Sequence, residues 1–257
     1  MSKLVGTFKR LLQNHGWDVI RSGPDFADSD RKLIRSVRPY TMTSPERLFA
    51  LIEATRYIVR NDIPGAFVEC GVWRGGSVMA ILSVLAQENS TERELYLYDT
   101  FSGMTPPSEK DVSIDGTPAS DVLRKEKPED ETSTWCKVDV AKVKASVLGT
   151  GYPRERIHFV TGRVEETIPG MVPDEISLLR LDTDFYESTK HELRHLYPLL
   201  SERGVLIVDD YGQWQGQRKA VEEYFQEQGI SLLLNRVDYA GRIGVKTNTN
   251  ARSESND

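Results

Sequence analysis

Few of the residues that mark secreted, membrane-spanning or nucleic-acid-binding chains occur in this sequence. There are 2 cysteines, Cys70 and Cys136, among 257 residues. That is too few for a disulfide framework and suits a reducing compartment. No apolar run approaches the roughly 20 residues needed to cross a bilayer. Residues 1–17 mix Lys3, Lys9 and Arg10 with isolated apolar residues, without the continuous apolar stretch of a secretion signal. Positive charge is in deficit: 33 Lys and Arg against 39 Asp and Glu leave a formal net charge of −6. Nucleic acid and anionic membranes both demand a basic face, so neither is an expected partner. The expectation is a cytoplasmic globular chain whose 39% hydrophobic residues can fill a sizeable core.

What is present is an alternation of strand and helix patterns. Residues 1–40 read as a polar, helical lead-in. Ser44-Pro45-Glu46 then opens a helix, with Ser44 as N-cap and Pro45 at the first helical position. Leu48, Leu51, Ile52, Thr55 and Ile58/Val59 follow at helical spacing and predict a buried stripe. Strands are predicted at Phe67–Cys70, Leu95–Tyr98, Ile157–Val160, Ile176–Leu181 and Val205–Val208. The predicted helices cover Val78–Gln87, Glu187–Leu200 and Gln217–Gln228. Two last strands, Ser231–Val237 and Arg242–Lys246, are spaced to pair as a hairpin through Asp238–Gly241. This pattern predicts one α/β domain over 1–247: a mostly parallel, doubly wound sheet with an antiparallel C-terminal edge. Pro106–Val147 is long, polar and broken by Asp115-Gly116 and Pro118. We read it as a lid or substrate-recognition insert; the alternative is a solvated surface excursion. The polar tail 248–257 reads as disordered.

The chemistry-bearing residues gather where strands end. Glu69-Cys70-Gly71-Val72-Trp73-Arg74-Gly75-Gly76-Ser77 joins the first strand to a helix, so its glycines let backbone N–H groups approach a ligand. The loop has neither the Gly-x-Gly-x-x-Gly of dinucleotide folds nor the Gly-Lys-Ser/Thr of a triphosphate loop. What remains, Glu-x-Gly-x-x-x-Gly, is the form found in S-adenosylmethionine sites. Asp99 closes the second strand, placed to accept both ribose hydroxyls of such a cofactor. Asp182 and Asp184 end the fourth strand, and Asp209 and Asp210 the fifth. In an open parallel sheet these ends line one crevice. Four carboxylates there would repel one another and raise their pKa values. A hard divalent cation such as Mg²⁺ is the simplest compensation.

These segments resemble the macrocin-type O-methyltransferases of antibiotic sugars, a family that includes the novobiocin-sugar and mycinose-sugar enzymes. The similarity runs from about Tyr40 to Val245. It rests on the runs Tyr40–Leu48, Pro64–Ser77, Tyr98–Met104, Leu181–Thr189 and Val208–Trp214. The resemblance implies a Rossmann-like class I methyltransferase. S-adenosylmethionine would be bound by Thr43, Ser44, Glu69, Gly71, Gly75, Ser77, Asp99 and Ser102. Mg²⁺ would be held by Asp182, Asp209 and Asp210, with Asp184 beside it as general base. It also implies a homo-oligomer that methylates a sugar hydroxyl of a glycosylated secondary metabolite. The chain departs from the family pattern at Arg163-Val164 and through much of Asp111–Val147.

Three other readings compete. His191-Glu192-Leu193-Arg194-His195 matches the two-histidine pattern of zinc peptidases, but no third ligand follows in a recognisable context. A non-enzymatic metabolite-binding module would have no need of a metal-linked base. A catechol or caffeoyl-CoA type O-methyltransferase shares the metal chemistry, but usually carries Asp-Asn where this chain has Asp209-Asp210.

Overall fold

The computed structural model describes residues 25–128, 130 and 133–247. The helical reading of residues 1–24 and the disorder expected of 248–257 lie outside the described residues. The described chain enters through α1 (Asp28–Val37) and a 3-10 turn at Arg38–Tyr40. α2 (Pro45–Arg60) starts as its sequence dictates: Ser44 stays extended and its hydroxyl accepts the Arg47 N–H. Leu48, Leu51, Ile52, Thr55 and Ile58 form the predicted stripe, each at 1% exposure or less.

The strands are β1 (Ala66–Cys70), β2 (Leu95–Asp99), β3 (Ile157–Thr161), β4 (Ile176–Leu181), β5 (Leu200–Val208), β6 (Asn235–Arg236) and β7 (Arg242–Val245). They make one sheet in the order β3-β2-β1-β4-β5-β7-β6. The first five run parallel, and β7 lies antiparallel to both β5 and β6. β1 and β4 are buried at every residue, as strands covered on both faces must be. After α2 come α3 (Gly76–Gln87), α4 (Ala119–Lys125), α5 (Val140–Leu148), α6 (Val164–Thr167), α7 (Tyr186–Leu196) and α8 (Gln215–Gln228). One core cluster joins the sheet to α2, α3 and α5, and a second joins it to α6, α7 and α8. The fold is therefore the doubly wound, Rossmann-like sheet that the sequence predicts. Among the described residues no helix is long and apolar enough to cross a membrane.

Several boundaries differ from expectation, among them β5, expected from Val205 and already formed at Leu200. The helix predicted to Leu200 ends at Leu196, because Tyr197–Leu199 tightens into a 3-10 turn around Pro198 and Leu200 already begins β5. The strand predicted over Ser231–Val237 shrinks to Asn235–Arg236, an edge paired with β7 alone. Within the insert, Val143 and Val147 of α5 are 2% and 0% exposed in the main core. That helix is an ordinary crossover between β2 and β3, which leaves Pro106–Asp139, irregular apart from α4, as the excursion.

Part of that excursion is fastened down. The Asp111 carboxylate accepts the N–H of Tyr186, the first residue of α7, at 2.7 Å. Ile114 N–H donates to the Gln213 carbonyl, and Gln215 N–H donates to that of Val112. The segment is thus tied to the chain that follows Asp184 and to the chain that follows Asp210.

Candidate active site

The sheet order reverses between β1 and β4, so the chains leaving their carboxyl ends diverge and open a crevice. A cavity of about 390 Å³ lies there. Of the residues expected at the site, Thr43, Glu69, Gly71, Ser77, Asp99, Asp182, Asp184, Asp209 and Asp210 line it. Ser44, Gly75 and Ser102 do not, and each has a local reason. The Ser44 hydroxyl caps α2 and donates to Asp238 Oδ2 at 2.6 Å. Gly75, at φ +84°, is the N-cap of α3, and a side chain there would strike Val147. Ser102 is an exposed turn residue whose N–H donates to the Thr100 hydroxyl at 3.2 Å.

The glycine loop is closed by Asp99. Its Oδ2 accepts the N–H groups of Val72 and Trp73 at 2.8 and 2.7 Å, and its Oδ1 accepts that of Phe101 at 2.6 Å. Burial pushes the Asp99 carboxyl up, against the pull of those three donors. A carboxylate offers about four acceptor positions, so room remains for a further donor. Gly71 brings β1 against β4: a Cβ on it would lie 2.1 Å from the Asp182 carbonyl oxygen. Trp73, Phe101, Cys136 and Asp184 all carry positive φ, from +47° to +65°. Left-handed non-glycine residues are uncommon, and such strain clusters at functional sites.

The aspartates separate into two groups. Ligand oxygens of Asp182, Asp184 and Asp210 lie within 4.8 Å of one another. Burial first, and then like charge, holds Asp182 and Asp210 well above the usual carboxylate range. Asp184 is raised mainly by burial, to about 7. Asp209 faces inward, with Arg47 donating to its Oδ2. Its Oδ1 lies 2.9 Å from Arg180 yet is buried without a hydrogen bond.

Two buried arginines set this division, and neither was among the residues expected at the site. Arg180 on β4 is 1% exposed and reaches Glu69 at 2.7 Å, Asp182 at 2.8 Å and the Thr43 hydroxyl at 3.1 Å. Arg47 in the first turn of α2 reaches Asp210 at 3.8 Å and Asp238 at 3.0 Å. Both carried a signal. Arg180 is the one charged residue of a fully buried strand, and Arg47 puts positive charge at the wrong end of a helix dipole. Glu69 takes Arg180 on Oε1, while its Oε2 is buried without a partner; burial raises this carboxyl to about 7. Replacing Arg180 by Met leaves Glu69, Asp182 and Asp209 short of their cation. Unfolding stability, measured by urea titration, should fall by about 3–5 kcal/mol. An unchanged midpoint would refute the role.

The zinc-peptidase pattern does not assemble. The His191 and His195 rings lie with centroids 4.4 Å apart, tilted by 50°, and His191 Nε2 meets the Ile168 carbonyl at 2.9 Å. Glu192, between them in sequence, is fully buried. Among the described residues, Asp182, Asp184 and Asp210 form the one potential metal-holding group of three or more.

Comparison with known proteins gives the family. The family model described as macrocin-O-methyltransferase (TylF) matches residues 13–243. A Streptomyces olivaceus protein, 8-demethyl-8-(2,3-dimethoxy-alpha-L-rhamnosyl)-tetracenomycin-C 4'-O-methyltransferase, is 32% identical over 88% of this chain and 84% of its own length. Demethyldecarbamoylnovobiocin O-methyltransferase of Streptomyces niveus is 32% identical over 81% of this chain and 76% of its own. The solved structure of the O-methyltransferase NovP superposes with a TM-score of 0.70 at 30% identity, covering 81% of this chain and 83% of that one. The chain belongs to the macrocin-O-methyltransferase family and is an O-methyltransferase.

Proposed function

We propose that this enzyme transfers a methyl group from S-adenosylmethionine to a sugar hydroxyl of a glycosylated secondary metabolite, assisted by Mg²⁺. The observation that carries the reading is the convergence of Asp182, Asp184 and Asp210 in the cavity that the glycine loop also lines.

The residues fit both implied groups. Clustered carboxylates held in a proton-binding state suit a hard cation, which would replace shared protons. Asp182 and Asp210 would hold it, with Asp209 Oδ1, ion-paired to Arg180 at 2.9 Å but without a hydrogen bond, as the third donor. Glu69 Oε2, also unsatisfied, would take the ammonium of the cofactor's amino-acid end, and Asp99 its ribose hydroxyls. When bound, Mg²⁺ would acidify and orient a hydroxyl oxygen, and S-adenosylmethionine would offer its methyl as a sulfonium.

The chain's own residues do the rest. Asp184, raised to about 7, is poised near neutral pH as the base that takes the hydroxyl proton onto its carboxylate. Asp99 holds the glycine loop so that cofactor and acceptor meet in a fixed geometry, the main source of rate in a bimolecular transfer. Met42 and Tyr239, 48% and 60% exposed, line the cavity and offer apolar surface to a sugar ring or its aglycone. Trp135 and Met104 pack with Trp214 and Phe185, and Met104 and Trp214 line the cavity, where this apolar cluster would limit the entry of water.

Methyl transfer from isotope-labelled S-adenosylmethionine to a panel of glycosides and catechols tests the proposal. Glycosides should be methylated, and methylation of catechols alone would overturn it. Asp99→Ala should weaken cofactor binding in calorimetry by about 1.5–3 kcal/mol, the range for bonds to a charged group. Wild-type affinity would remove Asp99 from the site. The homo-oligomer implied by the family is open to light scattering, where a monomer would contradict it.

A further inference from the structure

The histidine-glutamate run on α7 has a use in this fold that does not involve zinc. Glu192 is 0% exposed. Its Oε1 accepts a 2.9 Å hydrogen bond from the Thr183 hydroxyl, while its Oε2 is buried without a hydrogen-bond partner. The buried Cys70 thiol is its other polar neighbour, and the charges of Glu165 and Asp182 act on it. An acid buried at such a loss of hydration calls for a role that apolar packing could not fill.

Thr183 stands between Asp182 and Asp184, and its turn needs holding. Asp184 sits at φ +65°, in the left-handed region. Strained residues of this kind persist only where the surroundings over-determine them. Here the Phe185 N–H donates to the Thr183 carbonyl at 2.7 Å, and the Ser188 hydroxyl reaches the same oxygen at 3.4 Å. Those two bonds hold the Thr183 carbonyl. The bond from the Thr183 hydroxyl to Glu192 anchors its side chain to α7, beside the cavity that Asp182, Thr183 and Asp184 line.

We propose that Glu192 is a positioning residue: through the Thr183 hydroxyl it locks the left-handed turn that brings Asp182 and Asp184 together. It touches no reacting atom. The lock works in either protonation state, since a carboxylate and a carboxylic acid both accept the Thr183 hydroxyl. A glutamine can do the same, whereas leucine cannot.

The inference rests on the metal-assisted reading for one of its two readouts only. The experiment compares Thr183→Val, Glu192→Leu, Glu192→Gln and Thr183→Ser by crystallography and by calorimetric binding of Mn²⁺. Thr183→Val and Glu192→Leu should let Asp184 leave positive φ and lower Mn²⁺ affinity by about 10–100-fold, as loss of a partner behind the ligands does. S-adenosylmethionine affinity should hold in both. Glu192→Gln and Thr183→Ser should restore the turn and the Mn²⁺ affinity. Thr183→Val is nearly isosteric and keeps the test open if Glu192→Leu does not fold. A Thr183→Val protein with Asp184 still at positive φ and wild-type Mn²⁺ affinity overturns the proposal. Should the wild-type protein bind no Mn²⁺, the metal reading fails, and the Asp184 conformation in Thr183→Val still decides the positioning role.

Discussion

Asp184→Asn is expected to lower turnover on an accepted glycoside by about 10²–10⁴-fold, the usual worth of a positioned base. Asp184 lines the cavity one residue beyond the Thr183 turn and is raised to about 7 by burial. Asparagine keeps its shape and tolerates the same left-handed backbone, so the change removes proton acceptance and little else. Cofactor and metal binding should stay near wild type in calorimetry. A variant with turnover close to wild type would deny Asp184 the role of base.

Removal of divalent metal is expected to abolish activity. Three carboxylates within 4.8 Å, all raised above their ordinary range, repel one another in the absence of a counter-charge. Arg47 and Arg180 supply some, but Arg47 is shared with Asp209 and Asp238, and Arg180 with Glu69 and Asp209. Dialysis against EDTA should therefore stop methyl transfer, and Mg²⁺ should restore it. Zn²⁺ should be the poorer replacement, because the donors are all hard oxygens. S-adenosylmethionine binding should survive the treatment. Full activity in the stripped protein would remove the metal from the mechanism.

The sheet was readable in the chain because its parallel strands are buried on both faces and so appear as short apolar runs. The start of α2 was readable because capping is local: Ser44 and Pro45 act within one turn. The convergence of the four aspartates was readable for a related reason, since strand order puts those ends on one edge; that Asp184 rather than Asp209 groups with Asp182 and Asp210 was not. Helix α5 was missed because Val143 and Val147 are its only fully buried residues, set among lysines within a polar stretch. The arginine pairs were missed because they join segments far apart in sequence: Arg47 to Asp209 spans 162 residues and Arg180 to Thr43 spans 137. Local spacing carries no trace of such contacts. The same distance hid the competition for Ser44, whose hydroxyl is claimed by Asp238, 194 residues away.

The central claim is that metal holding and proton removal fall to different aspartates of one turn. Turnover measured against free Mg²⁺ for wild type, Asp182→Asn and Asp184→Asn tests it most directly. Asp182→Asn should need more Mg²⁺ and recover part of its rate when it is supplied. Asp184→Asn should saturate at the wild-type concentration, with its rate still low. Rescue of Asp184→Asn by Mg²⁺, with Asp182→Asn unresponsive, would contradict the assignment and reverse the two roles.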